Sequence, residues 1–203
     1  PPCCSDVRNR HGSTAMNHPD LRIAWLVCCL TLPLCSEASK DTPPDSIDRL
    51  ELRRHEEMLS TRRASDTTLA PFTTDGCSGG LSIGWKYLAM QVEAVRLTHG
   101  NLPPWQACCI EHDHLYHAAV PAESTPEDSF SARKQADMEL HSCVIDTGFD
   151  RATSLSNDYD VSIETVEGLY TTIADLMYRA VRVGGVPCSG LPWRWGYGWP
   201  ACE

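Results

Sequence analysis

The chain has 203 residues, of which 42% are hydrophobic, and a formal net charge of −10 at pH 7. This length allows one domain with appendages. Lys and Arg never form a run longer than two residues, so we expect neither nucleic acid nor strong electrostatic adsorption to anionic lipid. A bound cation would suit the acidic balance.

The N-terminal segment has the pattern of an export signal. The first Met is Met16, and the apolar run at 23–35 is shorter than the roughly 20 residues that span a bilayer. Small residues at 36 and 38 fit the positions that a signal peptidase reads. We therefore interpret 16–38 as a signal peptide, with an uncleaved anchor as the alternative, and 1–15 as upstream or added sequence. The mature chain is expected to be secreted or periplasmic.

The cysteine content agrees with export. Five of the eleven Cys precede the predicted cleavage site, and an even set remains. In an exported chain such a set predicts disulfides, although the residues alone leave the pairing open. Zinc is the alternative, but no CxxC pair occurs to favour it. The remaining cysteines are Cys77, Cys108, Cys109, Cys143, Cys188 and Cys202.

Residues 39–70 are predicted to be a linker followed by an exposed helical arm. Ser46 can cap a helix that runs to about residue 63. Charged residues dominate this helix, and a pro-segment is the alternative interpretation. Its thin apolar face consists of Ile47, Leu50 and Met58.

Residues 71–203 are predicted to be mainly helical, because apolar residues recur at helical spacing and strand signals are scarce. The predicted helices lie at 85–95, from Pro103 onward, at 129–145 with Ser129 as the cap, and at 166–180. The last has an apolar stripe made of Val166, Leu169, Tyr170, Ile173, Leu176, Met177 and Ala180.

One helical stripe combines reactive groups. Residues three and four apart share a helix face, so Cys108, Cys109, His112, Asp113 and Tyr116 lie together. A core helix would place Leu and Val there. Buried polar groups cost stability unless they are paired, so the stripe predicts a functional site. The alternative is that His112 is an ordinary exposed helical residue.

This motif, CC-x-x-HD-x-x-Y at 108–116, resembles the active-site helix of the secreted phospholipase A2 superfamily. The Gly-rich turn at 75–80 resembles the calcium loop of that family. Ala136 and Asp137, with Cys143 six residues after the Asp, resemble its second long helix. The resemblance implies an all-α, disulfide-bridged phospholipase A2-like helical domain at 71–203, with a calcium loop. The short linker between the two helices implies that the β-hairpin is reduced or absent.

The sequence departs from the family pattern at one bridge. Many members pair a Cys two residues after the helix Asp with a Cys just before the orienting Asp. Leu115 and Ala136 stand at these positions here. We expect the two apolar residues still to face each other.

The resemblance also implies the catalytic roles. His112 would be the general base, Asp137 would fix its tautomer, and Tyr116 would hydrogen-bond Asp137. Asp146 and Asp150 are alternative partners for the histidine.

A calcium ion is the implied cofactor. Asp113 would give a carboxylate, and Gly76, Ser78 and Gly80 would give backbone carbonyls, which suit a hard cation. The ion would act as a Lewis acid on the ester carbonyl. The alternative is an ordinary tight turn around a structural cysteine.

The implied disulfides are Cys77–Cys109 and Cys108–Cys143, which leaves Cys188–Cys202. The tail between the last two holds four aromatic residues at 193–199. We interpret them as a disulfide-pinned flap over the core, with a lipid-interface patch as the alternative.

The function implied is calcium-dependent hydrolysis of the sn-2 acyl ester of glycerophospholipids at a membrane or micelle surface. The alternative is a non-catalytic secreted module of the same fold, a binding or toxin-like protein. The intact set of His112, Asp113, Tyr116 and Asp137 favours the enzyme.

Overall fold

The computed structural model describes residues 46–74, 76–77, 85, 87, 90–91 and 93–202, so the predicted signal peptide lies outside the described residues. All of them belong to one compact unit, Pro43–Glu203. They form helices, turns and loops without a strand, which confirms the all-α class. The helices are α1 (Ser46–Ala64), α2 (Glu93–His99), α3 (Gln106–Ala118), α4 (Pro126–Tyr159) and α5 (Ile163–Gly184).

Helix α4 begins earlier and ends later than predicted. The Thr125 hydroxyl accepts a hydrogen bond from the Asp128 backbone N–H at 3.1 Å, and the Asp128 carboxylate accepts one from the Thr125 N–H at 3.3 Å. This capping box, with Pro126 in the first turn, fixes the start. The predicted cap, Ser129, is instead buried inside the helix.

Close packing explains why α4 continues past residue 145. A Cβ added to Gly148 would lie 2.4 Å from Cβ of Tyr170 on α5. Glycine therefore lets the two helices approach here, and it does not end the helix. Helix α4 is the centre of the domain and packs against α5, α3 and α1.

Helix α5 buries a narrower stripe than predicted. Val166, Tyr170 and Met177 are buried, together with Ala174. Leu169 and Leu176, which were expected on the core face, are 58% and 53% exposed. They flank the stripe, so α4 does not cover them.

Helix α1 is not the exposed arm that the sequence predicts. It packs along α4, whereas Ile47 and Leu50 of the predicted apolar face are 70% and 61% exposed. The hydrophobic pattern misleads because half of the buried face is polar. That face consists of Glu51, His55, Met58 and Leu59.

The aromatic tail covers the C-terminal end of α3, in agreement with the flap. Trp195 is 2% exposed and its ring lies edge-on to Tyr116 at 5.0 Å. The N–H of Gly196 donates to the Tyr116 carbonyl at 2.7 Å. Trp199 Nε1 donates to the Ala118 carbonyl at 2.9 Å. Of the four aromatic residues, Trp193 stays 46% exposed.

The three disulfides are those implied by the resemblance. Cys77–Cys109 and Cys108–Cys143 tie α3 to the preceding loop and to α4, and Cys188–Cys202 closes the tail. Within the described residues, one group of possible metal ligands places Glu57 beside the sulfurs of Cys188 and Cys202. Those sulfurs are bonded to each other and offer no thiolate to zinc. No helix in the described ranges has the length and apolar character of a membrane span.

Candidate active site

A buried histidine and a buried aspartate form the centre of the site. His112 Nε2 lies 2.9 Å from Asp137 Oδ1. The side chains are 6% and 0% exposed. The disulfide Cys108–Cys143 joins their helices one turn before His112 and six residues after Asp137. The predicted contact is therefore present and is held by a covalent bond between α3 and α4.

Tyr116 completes the predicted contacts. Its hydroxyl donates to Asp137 Oδ1 at 2.6 Å and accepts from Arg133 Nε at 3.1 Å. Burial raises the pKa of Tyr116 well above 10.0, so the phenol stays protonated and keeps donating. Asp137 Oδ1 is thus shared by the imidazole and the phenol.

The sequence does not predict the charged residues that surround Asp137, which are Arg182, Arg133 and Glu51. Arg182 Nη1 donates to Asp137 Oδ2 at 2.9 Å, and its Nη2 donates to Glu51 Oε2 at 2.7 Å. Arg133 donates to Glu51 Oε1 and lies 3.9 Å from Asp137 Oδ2. Two guanidinium groups therefore stand between two carboxylates from different helices.

This arrangement balances charge inside the protein. Burial alone would raise the pKa of Glu51, but His55 Nε2, which lies 3.5 Å from Glu51 Oε1, and the charges of Arg133 and Arg182 lower it to about 2. Burial would lower the pKa of Arg182, but its hydrogen bond with Asp137 and the charge of Glu51 raise it. Glu51 and Arg182 are therefore both ionised at neutral pH.

The cluster also anchors α1 and the tail. His55 Nδ1 lies 2.7 Å from the Ser129 hydroxyl, and Trp195 Nε1 donates to the same oxygen at 3.1 Å. Burial is the main reason that the pKa of His55 is lowered, so His55 is neutral at pH 7. The spacing of Glu51 and His55, and of Arg133 and Asp137, is four residues in each case, which is the one sequence signal that these residues share a face.

The predicted calcium ligands are described only in part. Ser78 and Gly80 lie outside the described residues. Asp113 Oδ2 accepts a hydrogen bond from the Thr74 hydroxyl at 2.5 Å, and the same hydroxyl accepts from the Gly76 N–H at 2.9 Å. The start of the loop and the Asp113 carboxylate therefore share one hydrogen-bonded chain.

Gly76 can be replaced by no other residue without a shift of its neighbours. Its φ is +74°, and an added Cβ would lie 1.8 Å from Gln106 Nε2. The next residue, Cys77, forms a disulfide with Cys109, which lies one turn before Asp113 on α3. The Asp113 carboxylate is an oxygen donor of the kind that calcium prefers.

The alternative partners of His112 lie elsewhere on α4. Asp146 and Asp150 are exposed and line a groove of about 450 Å³ together with Glu139. Asp137 is the carboxylate that contacts the histidine.

Leu115 and Ala136 do not form the expected pair within a shared core. Ala136 is buried among Met58, Leu59 and Tyr116, whereas Leu115 is 43% exposed and belongs to neither hydrophobic cluster. Position 115, two residues after Asp113, therefore faces outward here.

No protein-family model matches the chain, and no curated protein or solved structure matches it either.

Proposed function

We propose that the protein is a calcium-dependent, phospholipase A2-like esterase that hydrolyses the sn-2 acyl ester of glycerophospholipids. The observation on which this depends is the buried contact of His112, Asp137 and Tyr116 beside Asp113. The three disulfides favour a secreted or periplasmic location for this enzyme.

His112 is proposed to act as the general base. Asp137 occupies Nε2, which leaves Nδ1 to accept a proton from the attacking water. Tyr116 and Arg182 hold Asp137 from two further directions, so the carboxylate and with it the imidazole keep one orientation. The imidazolium formed in the reaction would then protonate the leaving alcohol.

Asp113 is proposed to hold the calcium ion together with the backbone of Gly76, Ser78 and Gly80. A bound calcium would supply Lewis acidity to the ester carbonyl. The Tyr197 hydroxyl lies 2.8 Å from the Thr73 carbonyl oxygen and 3.2 Å from the Asp113 carbonyl oxygen, so the two oxygens share its one proton. The tail thereby fixes the backbone on both sides of the proposed metal site.

The test is hydrolysis of phosphatidylcholine vesicles whose two acyl chains carry different labels. We expect release of the sn-2 label in calcium and no release in chelator. A protein that binds the vesicles but releases neither label in calcium would instead be a non-catalytic module of this fold.

A further inference from the structure

Helix α1 supplies a buried carboxylate to the surroundings of the candidate active site. Glu51 is 7% exposed and lies on the buried face of α1, which packs along α4. This helix precedes the segment that resembles phospholipase A2, and the sequence predicts it to be an exposed arm or a pro-segment. Glutamate is rarely buried unless it is paired. The partners of Glu51 therefore indicate what this carboxylate does.

Arg182 connects Glu51 to Asp137. Its Nη2 donates to Glu51 Oε2 at 2.7 Å, and its Nη1 donates to Asp137 Oδ2 at 2.9 Å. One planar guanidinium thus holds a carboxylate on each of two nitrogens. The position of Glu51 therefore restricts how Arg182 approaches Asp137.

Arg133 forms a second connection between the same carboxylates. Its Nη1 donates to Glu51 Oε1, and its Nη2 lies 3.9 Å from Asp137 Oδ2. Its Nε donates to the Tyr116 hydroxyl at 3.1 Å, and its Nη2 donates to two backbone carbonyls near the end of α5 at 2.7 and 2.8 Å. Glu51 is therefore the shared carboxylate of two guanidinium groups that both lie near Asp137.

Loss of the Glu51 charge would change how Asp137 is held. Among the ion pairs of the described residues, Asp137 is the other carboxylate that pairs with Arg133 and Arg182. A guanidinium favours two parallel hydrogen bonds to one carboxylate, so a released Arg182 would turn Asp137 towards itself. This rotation would weaken the contact of Asp137 Oδ1 with His112 Nε2, which is 2.9 Å long. The neutral imidazole could then hold its proton on either nitrogen.

We propose that Glu51 is a positioning residue, which acts through Arg182 and Arg133 to hold Asp137 in the orientation that keeps the proton of neutral His112 on Nε2. Helix α1 is then part of the catalytic unit and is not a removable pro-segment. The kinetic consequence rests on the proposed function, whereas the tautomer of the imidazole does not.

Heteronuclear NMR of the His112 ring nitrogens tests this inference without a substrate. Spectra are recorded in chelator at about pH 8.5, well above the unperturbed pKa of a histidine, and His112→Asn assigns the signals. We expect the Nε2–H tautomer in wild type and a mixture of both tautomers in Glu51→Gln, which keeps the shape of the side chain but removes its charge. Glu51→Asp keeps the charge and should return the spectrum towards that of wild type.

Hydrolysis of phosphatidylcholine vesicles in calcium gives the second readout. In Glu51→Gln, kcat should fall by about tenfold or more and KM should change by less than about twofold, because a positioning residue acts on the transition state and not on substrate binding. Leu59→Ala is the matched control, since Leu59 is fully buried on the same helix but packs in an apolar cluster. It should weaken the packing of α1 and leave both kcat and the tautomer unchanged.

Arg182→Lys is a second variant, which decides the question if Glu51→Gln does not fold. A single ammonium cannot reproduce the planar fork between two carboxylates, so this variant should also give a mixture of tautomers. The Nε2–H form alone in folded Glu51→Gln or in Arg182→Lys would overturn the proposal, as would a mixture in wild type. Equal effects of Leu59→Ala and Glu51→Gln would overturn it too, because packing of α1 would then explain both. Absence of hydrolysis by wild type would contradict the proposed function, and the NMR result would still decide the role of Glu51.

Discussion

At the scale of single residues, Asp137 contacts two further side chains besides the histidine. It accepts hydrogen bonds on one oxygen from His112 and Tyr116, and its other oxygen is paired with Arg182. The positive charge of Arg182 partly neutralises the carboxylate of Asp137, which would otherwise stabilise an imidazolium at His112. Glu51 offsets this effect, since it shares both arginines with Asp137.

The role of His112 gives the first prediction. His112→Asn keeps a polar side chain but removes the base, so hydrolysis should fall by at least about 100-fold while the fold is retained. His114→Asn is the matched control, because His114 is exposed on the same helix. Initial rates on phosphatidylcholine vesicles measure both variants. Equal activity of His112→Asn and His114→Asn would remove His112 from the mechanism.

Arg182 gives the second prediction. Arg182→Gln leaves the buried Asp137 and Glu51 with fewer cations, so the free energy of unfolding should fall by about 3 kcal/mol, as for a broken buried ion pair. The acidic limb of the pH–rate profile should move to higher pH, because loss of a nearby cation favours the imidazolium. Arg179→Gln, an exposed change one turn earlier, should alter neither quantity. A stability loss with an unmoved pH profile would make Arg182 structural only.

At the scale of elements, helix α1 shows where reading the sequence fails. The stripe of α3 and the aspartate of α4 follow from local spacing and from the resemblance. Glu51 and Arg182 are separated by 131 positions and meet only after α1 and α5 pack on α4. Polar residues at such a contact have the same sequence pattern as a solvated face, so the sequence predicts that α1 is an exposed arm.

The low pKa of Glu51 gives the third prediction. A carboxyl whose pKa falls from 4.5 to about 2 on folding stabilises the protein above pH 4.5, and this contribution disappears as the pH falls towards 2. Glu51→Gln should therefore cost on the order of 2 kcal/mol at pH 7, after allowance for solvent screening, and the difference from wild type should shrink below pH 4. Glu56→Gln is the exposed control on the same helix.

Chemical denaturation at several pH values measures this difference. The lowered pKa of His55 also reduces the stability of the wild type at low pH. A histidine that is buried in its neutral form takes up a proton when the protein unfolds in acid. A Glu51→Gln difference that is independent of pH would contradict the ionised state assigned to Glu51.

At the scale of the whole molecule, the C-terminal tail packs against Tyr116 of α3. Cys188–Cys202 closes the segment whose Trp195 covers Tyr116 and whose Tyr197 reaches the Asp113 carbonyl. The sequence predicts the flap from its aromatic content and terminal cysteines. Its contacts could not be predicted, because they depend on the path of the backbone over the end of α3.

Removal of the tail disulfide gives the fourth prediction. The double change of Cys188 and Cys202 to Ser should lower the free energy of unfolding by about 3 kcal/mol, the value for a short closed loop.

The mature oxidised chain should show no free thiol under denaturation, and the variant should show none either. Two titratable thiols in the oxidised wild type would contradict the disulfide scheme.

The central claim is that calcium at Asp113 enables hydrolysis by His112, and one paired measurement tests it most directly. Calorimetric calcium titration and vesicle hydrolysis are compared for wild type, Asp113→Lys and the exposed control Glu111→Lys. Wild type and the control should bind calcium and hydrolyse phospholipid, whereas Asp113→Lys, which places an ammonium at the proposed ion position, should do neither and stay folded. Normal calcium binding by Asp113→Lys, or equal hydrolysis by wild type in excess chelator, would contradict the account.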